Sequence, residues 1–456
     1  DFMFNIMNDD TKAVLIATLS GFICVFNGQG ITIALPYMSS ALHISSVFAN
    51  WISLAFFICG AATGLSCGKI MPKYGVIRTT KIFMIFTIIG AIISVISTNP
   101  FIIILGKAMQ GFFVSGLYVT AYLILMNQVN PTKIGRSLGI STSGFFIAYL
   151  LAPIIGGFLI TYVSWQALFL FMVPFCLLEL ILLFSFNHEW FEEYDIDKIG
   201  TILWFILMVA FVYGLSFLDT FIGIISFIIS LVLMAIFVYY ELQIEDPLYD
   251  FRLLKNIKYS IYNYSTMIVV FVVDGMMFVI TLYLQHVKGL TSIETGFILG
   301  LMAAVLLIMS IVAGRLSDKY SSVNLCKCGI LIILLSSILL AFANYLPLYI
   351  IIIGLIVLAI GNGVFDTPTR RMILDIHGSS RLPEVSAFLS SVRDIGSLIS
   401  LAVFTLILEG FSGIKNSVLY WSISSQYMFI IYIIFSFSVI LVLYYLNRIQ
   451  ESHTKS

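Results

Sequence analysis

The sequence predicts an all-α polytopic membrane protein, and three observations carry that prediction. The chain of 456 residues is 60% hydrophobic and only 10% charged, whereas a soluble domain is about a quarter charged. Apolar runs recur from Lys12 to the C-terminus, each near the ~20 helical residues needed to cross a hydrocarbon core roughly 30 Å thick. The Lys and Arg residues fall on alternate breaks between those runs, as expected when basic segments stay on the cytoplasmic side.

Cutting at polar breaks gives fourteen helices in order. The first is placed at 13-36. The segment before it, Asp1 to Thr11, is acidic and lacks a signal peptide's basic start, so this run is read as a retained span. The second, 47-69, gives way to Gly68-Lys69-Ile70-Met71-Pro72-Lys73-Tyr74-Gly75, and the third and fourth, 80-97 and 99-128, are split near Pro100. The fifth, 137-162, holds Pro153 with Gly156 and Gly157; the sixth covers 166-187. The seventh and eighth, 199-218 and 220-240, are divided at Asp219. After a central segment come the ninth at 260-286 and the tenth at 292-314, the latter followed by Gly314-Arg315-Leu316-Ser317-Asp318-Lys319-Tyr320. The eleventh, 324-344, opens with Cys326 and Cys328, a thiol pair with no second Cys/His pair to complete a zinc site, so no metal is expected. The twelfth, thirteenth and fourteenth are placed at 347-370, 384-409 and 420-446.

An even number of spans puts both termini on one side. Of the 23 Lys and Arg, all but Lys107, Lys288, Arg393 and Lys415 then fall on that side, which assigns it to the cytoplasm. A miscounted helix would have inverted the pattern partway along. The two glycine-basic segments share the pattern G-x-(apolar)-x-x-(basic)-Tyr after the second and tenth spans. This repeat predicts an N-terminal six-helix half at 13-187, two inserted helices with central loops at 188-258, and a C-terminal six-helix half at 259-446. Repeated halves around a midplane site are common among secondary transporters.

Other classes find little support. The 23 basic and 23 acidic residues balance to zero, leaving no large basic surface for nucleic acid. No phosphate loop, dinucleotide fingerprint, nucleophile elbow or H-E-x-x-H occurs, so neither an enzyme nor a cofactor is expected.

Several local patterns, in order along nearly the whole chain, resemble the major facilitator superfamily, and specifically its fourteen-span drug:proton antiporter branch. They are Ala34-Leu35-Pro36, the glycine-basic segment from Gly68 to Gly75, Lys107-Ala108-Met109-Gln110-Gly111, and Ala152-Pro153-Ile154-Ile155-Gly156-Gly157. Trp165 with Phe169 and Pro174, Pro247-Leu248-Tyr249-Asp250, and Tyr283-Leu284-Gln285 with Gly289 and Gly296 continue the series. The resemblance implies conformational roles for Gly68, Gly75, Gln110, Gly111, Pro153, Gly156, Gly157, Gly314 and Asp318. The chain departs from the family at four points: Asn27, near Gln29, replaces the usual first-span acid, Thr32 a common Asn, Pro72 an Asp, and Lys107 an Arg.

Ionisable groups inside the spans cost several kcal/mol at the bilayer centre and therefore invite functional readings. In the first half these are Lys107 and Glu179; their depths predict a pair only if Lys107 reaches inward. Glu179 reads equally as a packing acid that stays protonated. In the second half Asp274 lies mid-span, as a coupling or substrate-binding group or as an ion-pair partner of Arg393. Arg393 and Asp394 project about 100° apart, so each must face another helix, with Asp274 or Asp366 expected for Arg393. Asp366, one turn before Arg370, reads as a paired helix end. Tyr118, Tyr122, Phe145, Phe146 and Tyr149 are candidate aromatic cavity residues.

The resemblance implies a monomeric, multi-pass plasma-membrane transporter that exports small amphipathic or cationic compounds in exchange for protons. The other readings are a metabolite facilitator or proton symporter of the same fold, favoured by Asn27, and a non-transporting receptor or scaffold.

Overall fold

The computed structural model describes residues 8–130, 134–186, 189–191, 195–245, 247–317, 319–377 and 381–454. Among them, fourteen helical spans are long and apolar enough to cross a membrane. They are Asp9–Leu42, Ser46–Tyr74, Val76–Ile96, Pro100–Gln128, Ser143–Tyr162, Ala167–Phe184, Lys198–Ser216 and Phe221–Gln243, then Ile257–His286, Ser292–Ser317, Ser322–Ala341, Leu348–Ile373, Ala387–Gly410 and Ser417–Leu446. The fold is all-helical and polytopic, as expected.

The splits at Pro100 and Asp219 have local causes. Asn99 caps the fourth span by accepting the Phe101 amide at 2.9 Å, and Thr220 caps the eighth by accepting that of Gly223 at 3.0 Å. Small polar residues favour such sites because they satisfy amides that the first helical turn leaves free.

Several expected boundaries move. The first span changes pitch: an α-helix over Asp9–Gln29 tightens into a 3-10 turn, Gly30–Ala34, and resumes over Leu35–Leu42. Pro36 does not end it, since a proline in a first turn lacks only an N–H that would go unbonded. The second span runs through its glycine-basic segment to Tyr74, so Gly68 to Tyr74 is helix, not loop; it stops at Gly75, whose φ of 94° favours glycine. The third span starts at Val76, not at residue 80, because Glu189, distant in sequence, accepts the amides of Ile77 (2.7 Å) and Arg78 (3.0 Å). The sixth is two helices, Ala167–Phe171 and Val173–Phe184, meeting at Met172 ahead of Pro174.

The helix contacts repeat along the chain. The second and third spans each pack on the fourth, the first on the fourth, fifth and sixth, and the third on the sixth. The same pairs recur among the ninth to fourteenth spans: tenth and eleventh on the twelfth, ninth on the twelfth, thirteenth and fourteenth, eleventh on the fourteenth. Two related seams join the sets, the fifth span against the tenth and the second against the thirteenth. The seventh and eighth pack on each other, and the seventh leans on the second and thirteenth.

The fifth–tenth seam depends on two glycines at the end remote from the termini. A methyl group at Gly157 would overlap the Ser292 carbonyl, and one at Gly296 that of Pro153. The second–thirteenth seam closes toward the terminal face, where Gly68 lies beside Ala387.

Candidate substrate cavity

Between the two helix sets lies a cavity with about 1240 Å³ of unfilled space, part of it open to solvent. Its two walls differ in chemistry. The first set contributes Cys24, Gln29, Phe56, Phe57, Tyr118, Phe145, Phe146 and Tyr149 among its lining residues, and no formal charge. The second set contributes every charged lining residue: Asp274, Asp366, Arg370, Arg393 and Asp394.

These charges are not equivalent. Asp366 accepts Arg370 Nη2 at 3.0 Å and is also bonded by Arg393 Nη1. Arg370 follows one turn later on the same helix, a spacing that sets side chains face to face. The expected pairing with Arg370 therefore holds, but Asp366 is no helix end: its helix continues to Asp375, and the group faces the cavity. Of the two partners expected for Arg393, the structure places Asp366 in contact. Asp274 is held by the Ser397 hydroxyl, which donates to its Oδ2 at 2.9 Å. Asp394, rotated away from Arg393, points toward Gly64 of the second span. Among the described residues neither Asp274 nor Asp394 makes an ion pair within 4.0 Å; Asp366 is in contact with both guanidinium groups.

The first-half charges lie off the cavity and apart from each other. Lys107 does not reach Glu179. Its Nζ donates to the Asn27 carbonyl at 2.8 Å and sits 4.6 Å from the Phe56 ring centre and 5.7 Å from that of Phe169. The rings supply negative faces that favour a desolvated cation. Glu179 is fully buried and accepts the Ser20 hydroxyl at 2.5 Å, while its Oε2 has no partner among the described residues. The Asn27 side chain donates to the Ile23 carbonyl, so this position contributes a backbone oxygen to Lys107 and only Gln29 faces the cavity.

The motif positions sort by contact. Gln110 is buried against Gly90, and Gly111 lets the fourth span approach the Phe56 backbone. Pro153, Gly157 and Gly296 form the fifth–tenth contact; Gly156 approaches the Gly30 carbonyl. Gly68 faces the thirteenth span, Gly314 lies near Thr367, and Asp318 falls outside the described residues. Of the candidate rings, Tyr118, Phe145, Phe146 and Tyr149 line the cavity; Tyr122 does not. Phe56, Phe57 and Ser397 were not singled out from the sequence, where nothing separates these two rings from the other 37 of 39 Phe.

Fourteen membrane helices, paired as two repeated sets around a central cavity with a charged wall, define a multi-pass membrane transporter. The chain belongs to the Major Facilitator Superfamily, which it matches over residues 17–346 and again over 263–456. It is 24% identical over 404 residues to the riboflavin transporter RibZ of Clostridioides difficile, covering 86% of this chain and 87% of that one. It is also 24% identical over 415 residues to the multidrug resistance protein Stp of Mycobacterium tuberculosis, covering 88% of this chain and 76% of that one. Among solved structures, a bacterial homolog of the human lysosomal transporter Spinster, inward-facing and unoccupied, superposes with a TM-score of 0.70 at 14% identity over 97% of this chain and 98% of its own.

Proposed function

We propose that this transporter exports small amphipathic or cationic organic compounds in exchange for protons, as a member of the fourteen-span drug:proton antiporter branch in the plasma membrane, with both termini cytoplasmic. The observation that carries the reading is the division of the cavity: an uncharged aromatic wall faces a wall where, among the described residues, Asp274 and Asp394 make no ion pair within 4.0 Å. Rings attract flat or cationic compounds. A cavity carboxyl without an ion pair can exchange a proton for a cation, because the opposing charge favours its ionised form. Asp274 and Asp394 are the coupling and binding candidates, Arg393 and Asp366 an ion pair that shapes the wall, and Lys107 and Glu179 support the first half. The likeness to Stp points the same way.

An imposed pH gradient should drive uptake of cationic dyes into inverted vesicles, and Asp274→Asn should abolish that uptake while the protein still inserts. Unchanged gradient-driven uptake in the variant would remove Asp274 from the mechanism. A second reading, a metabolite facilitator or proton symporter, is favoured by Asn27 at the first-span position and by the likeness to RibZ. It predicts dye uptake indifferent to the gradient, with a specific metabolite carried instead.

A further inference from the structure

The inserted seventh and eighth spans carry two carboxyl groups that the cavity does not use. Asp197, just before the seventh span, accepts the Gly200 amide at 2.9 Å and the Tyr240 hydroxyl at 3.0 Å, both on Oδ1. Glu241, near the end of the eighth and 1% exposed, accepts the Tyr249 amide on Oε2 at 3.2 Å. The other two oxygens, Asp197 Oδ2 and Glu241 Oε1, are buried and have no donor among the described residues. They converge: a methyl group at Gly200 would collide with both, and the Glu241 carboxyl lies within hydrogen-bonding reach of Asp197.

Two ionised carboxylates do not rest in such a position. Like charges so close repel where little water screens them, and a buried acceptor without a donor loses hydration that nothing replaces. Among the described residues, no ion pair within 4.0 Å involves either carboxyl group. Lys69 donates to the Pro247 carbonyl at 2.7 Å, Lys73 faces Asp195 at 3.9 Å, Arg252 lies on the Leu242 carbonyl at 3.1 Å, and Arg381 binds Asp250 at 3.1 Å. Lys198 is exposed, and Glu384 accepts the Asp250 amide at 3.1 Å. A single proton between the two oxygens satisfies both.

We propose that Asp197 and Glu241 form a proton-binding site outside the cavity, sharing one proton between their carboxyl groups, and that its occupancy decides whether the segment Pro247-Leu248-Tyr249-Asp250 stays clamped across the two helix sets. The segment straddles them at the terminal end. Pro247 is held by Lys69 of the second span; the buried Tyr249 ring stacks on Phe388 of the thirteenth at 3.7 Å, and its hydroxyl donates to Tyr259 of the ninth at 3.1 Å. Asp250 binds Arg381 and, through its amide, Glu384. Glu241 is therefore both half of the proton pair and the anchor of the Tyr249 amide. When the proton leaves, repulsion is relieved by Glu241 turning toward water, which frees that amide and loosens the clamp. The site works the same way whatever compound the cavity carries.

Hydrogen exchange on the full chain in detergent reads this directly, through peptides covering 247–255. Protection, corrected for intrinsic chemical exchange, should fall by about tenfold or more as the pH is raised and the shared proton is lost. Glu241→Gln should stay protected throughout, because its amide donates to Asp197 without a proton. Asp197→Asn, which keeps the Oδ1 contacts, should do the same and serves if the first variant does not fold. Flat protection in the unsubstituted protein, or the same pH step in both variants, overturns the proposal. Protection that follows added sodium or magnesium at fixed pH also overturns it, by assigning the pair to a metal cation.

Discussion

Asp274 and Asp366 line one wall and answer to different demands. Asp366 is bonded to two guanidinium groups, and removing one member of a buried charge network leaves the others uncompensated. Asp366→Asn should therefore lower thermal stability by roughly 3–5 kcal/mol. Asp274→Asn should melt close to the parent, since a carboxyl held by one hydroxyl has little pairing energy to lose. Equal melting shifts in detergent for the two variants would contradict this division. In the first half, Lys107→Ala should impair transport in proteoliposomes more than Glu179→Gln, because the ammonium joins the fourth span to the first-span backbone while an amide can still accept from Ser20. The buried charges were legible as ionisable letters inside apolar runs. Their partners were not: Arg393 meets Asp366 across a separation of 27 residues and two different helices, and Lys107 meets a carbonyl that no side chain marks.

At the scale of elements, hydropathy placed fourteen spans, and misplaced ends wherever a distant residue or a proline intervened. The third span begins early because Glu189 supplies acceptors for its first amides, a contact 112 residues away that periodicity cannot register. Glu189→Ala should cost about 1 kcal/mol, as loss of a helix cap commonly does, read as a lower melting temperature. Pro36 marked an end that the helix passes, because the 3-10 turn puts the proline into a fresh first turn. The paired glycines of the fifth span were legible as a pattern, and the structure supplies their mechanics. Gly157 meets the backbone of the tenth span so closely that Gly157→Val must push the two helices apart. That variant should insert normally yet lose most of its transport, with Gly156→Ala far milder because its neighbours stand 3.5 Å or more away. Comparable loss in both would show that glycine flexibility, not close approach, is what the motif supplies.

Across the whole molecule, the two seams lie at opposite ends. The fifth–tenth seam is closed at the end remote from the termini, around Gly157 and Gly296; the second–thirteenth seam closes toward the terminal end, around Gly68 and Ala387. A cavity that is to be reached from one face and then the other requires the seam on the reached side to part, and tightly packed interfaces part as units instead of stretching. The terminal-end seam offers a direct test. A Cβ at Gly68 would stand 3.4 Å from that of Ala387, close to the ~3.5–4.5 Å spanned by a disulfide. With Cys67 replaced by Ser to prevent mispairing, Gly68→Cys combined with Ala387→Cys should crosslink on mild oxidation, stop transport in proteoliposomes and regain it on reduction. Each single substitution should transport in both conditions. If the oxidised, fully crosslinked double variant still transports, the second and thirteenth spans stay together throughout the cycle, and access from the terminal side must come from separation elsewhere between the two helix sets.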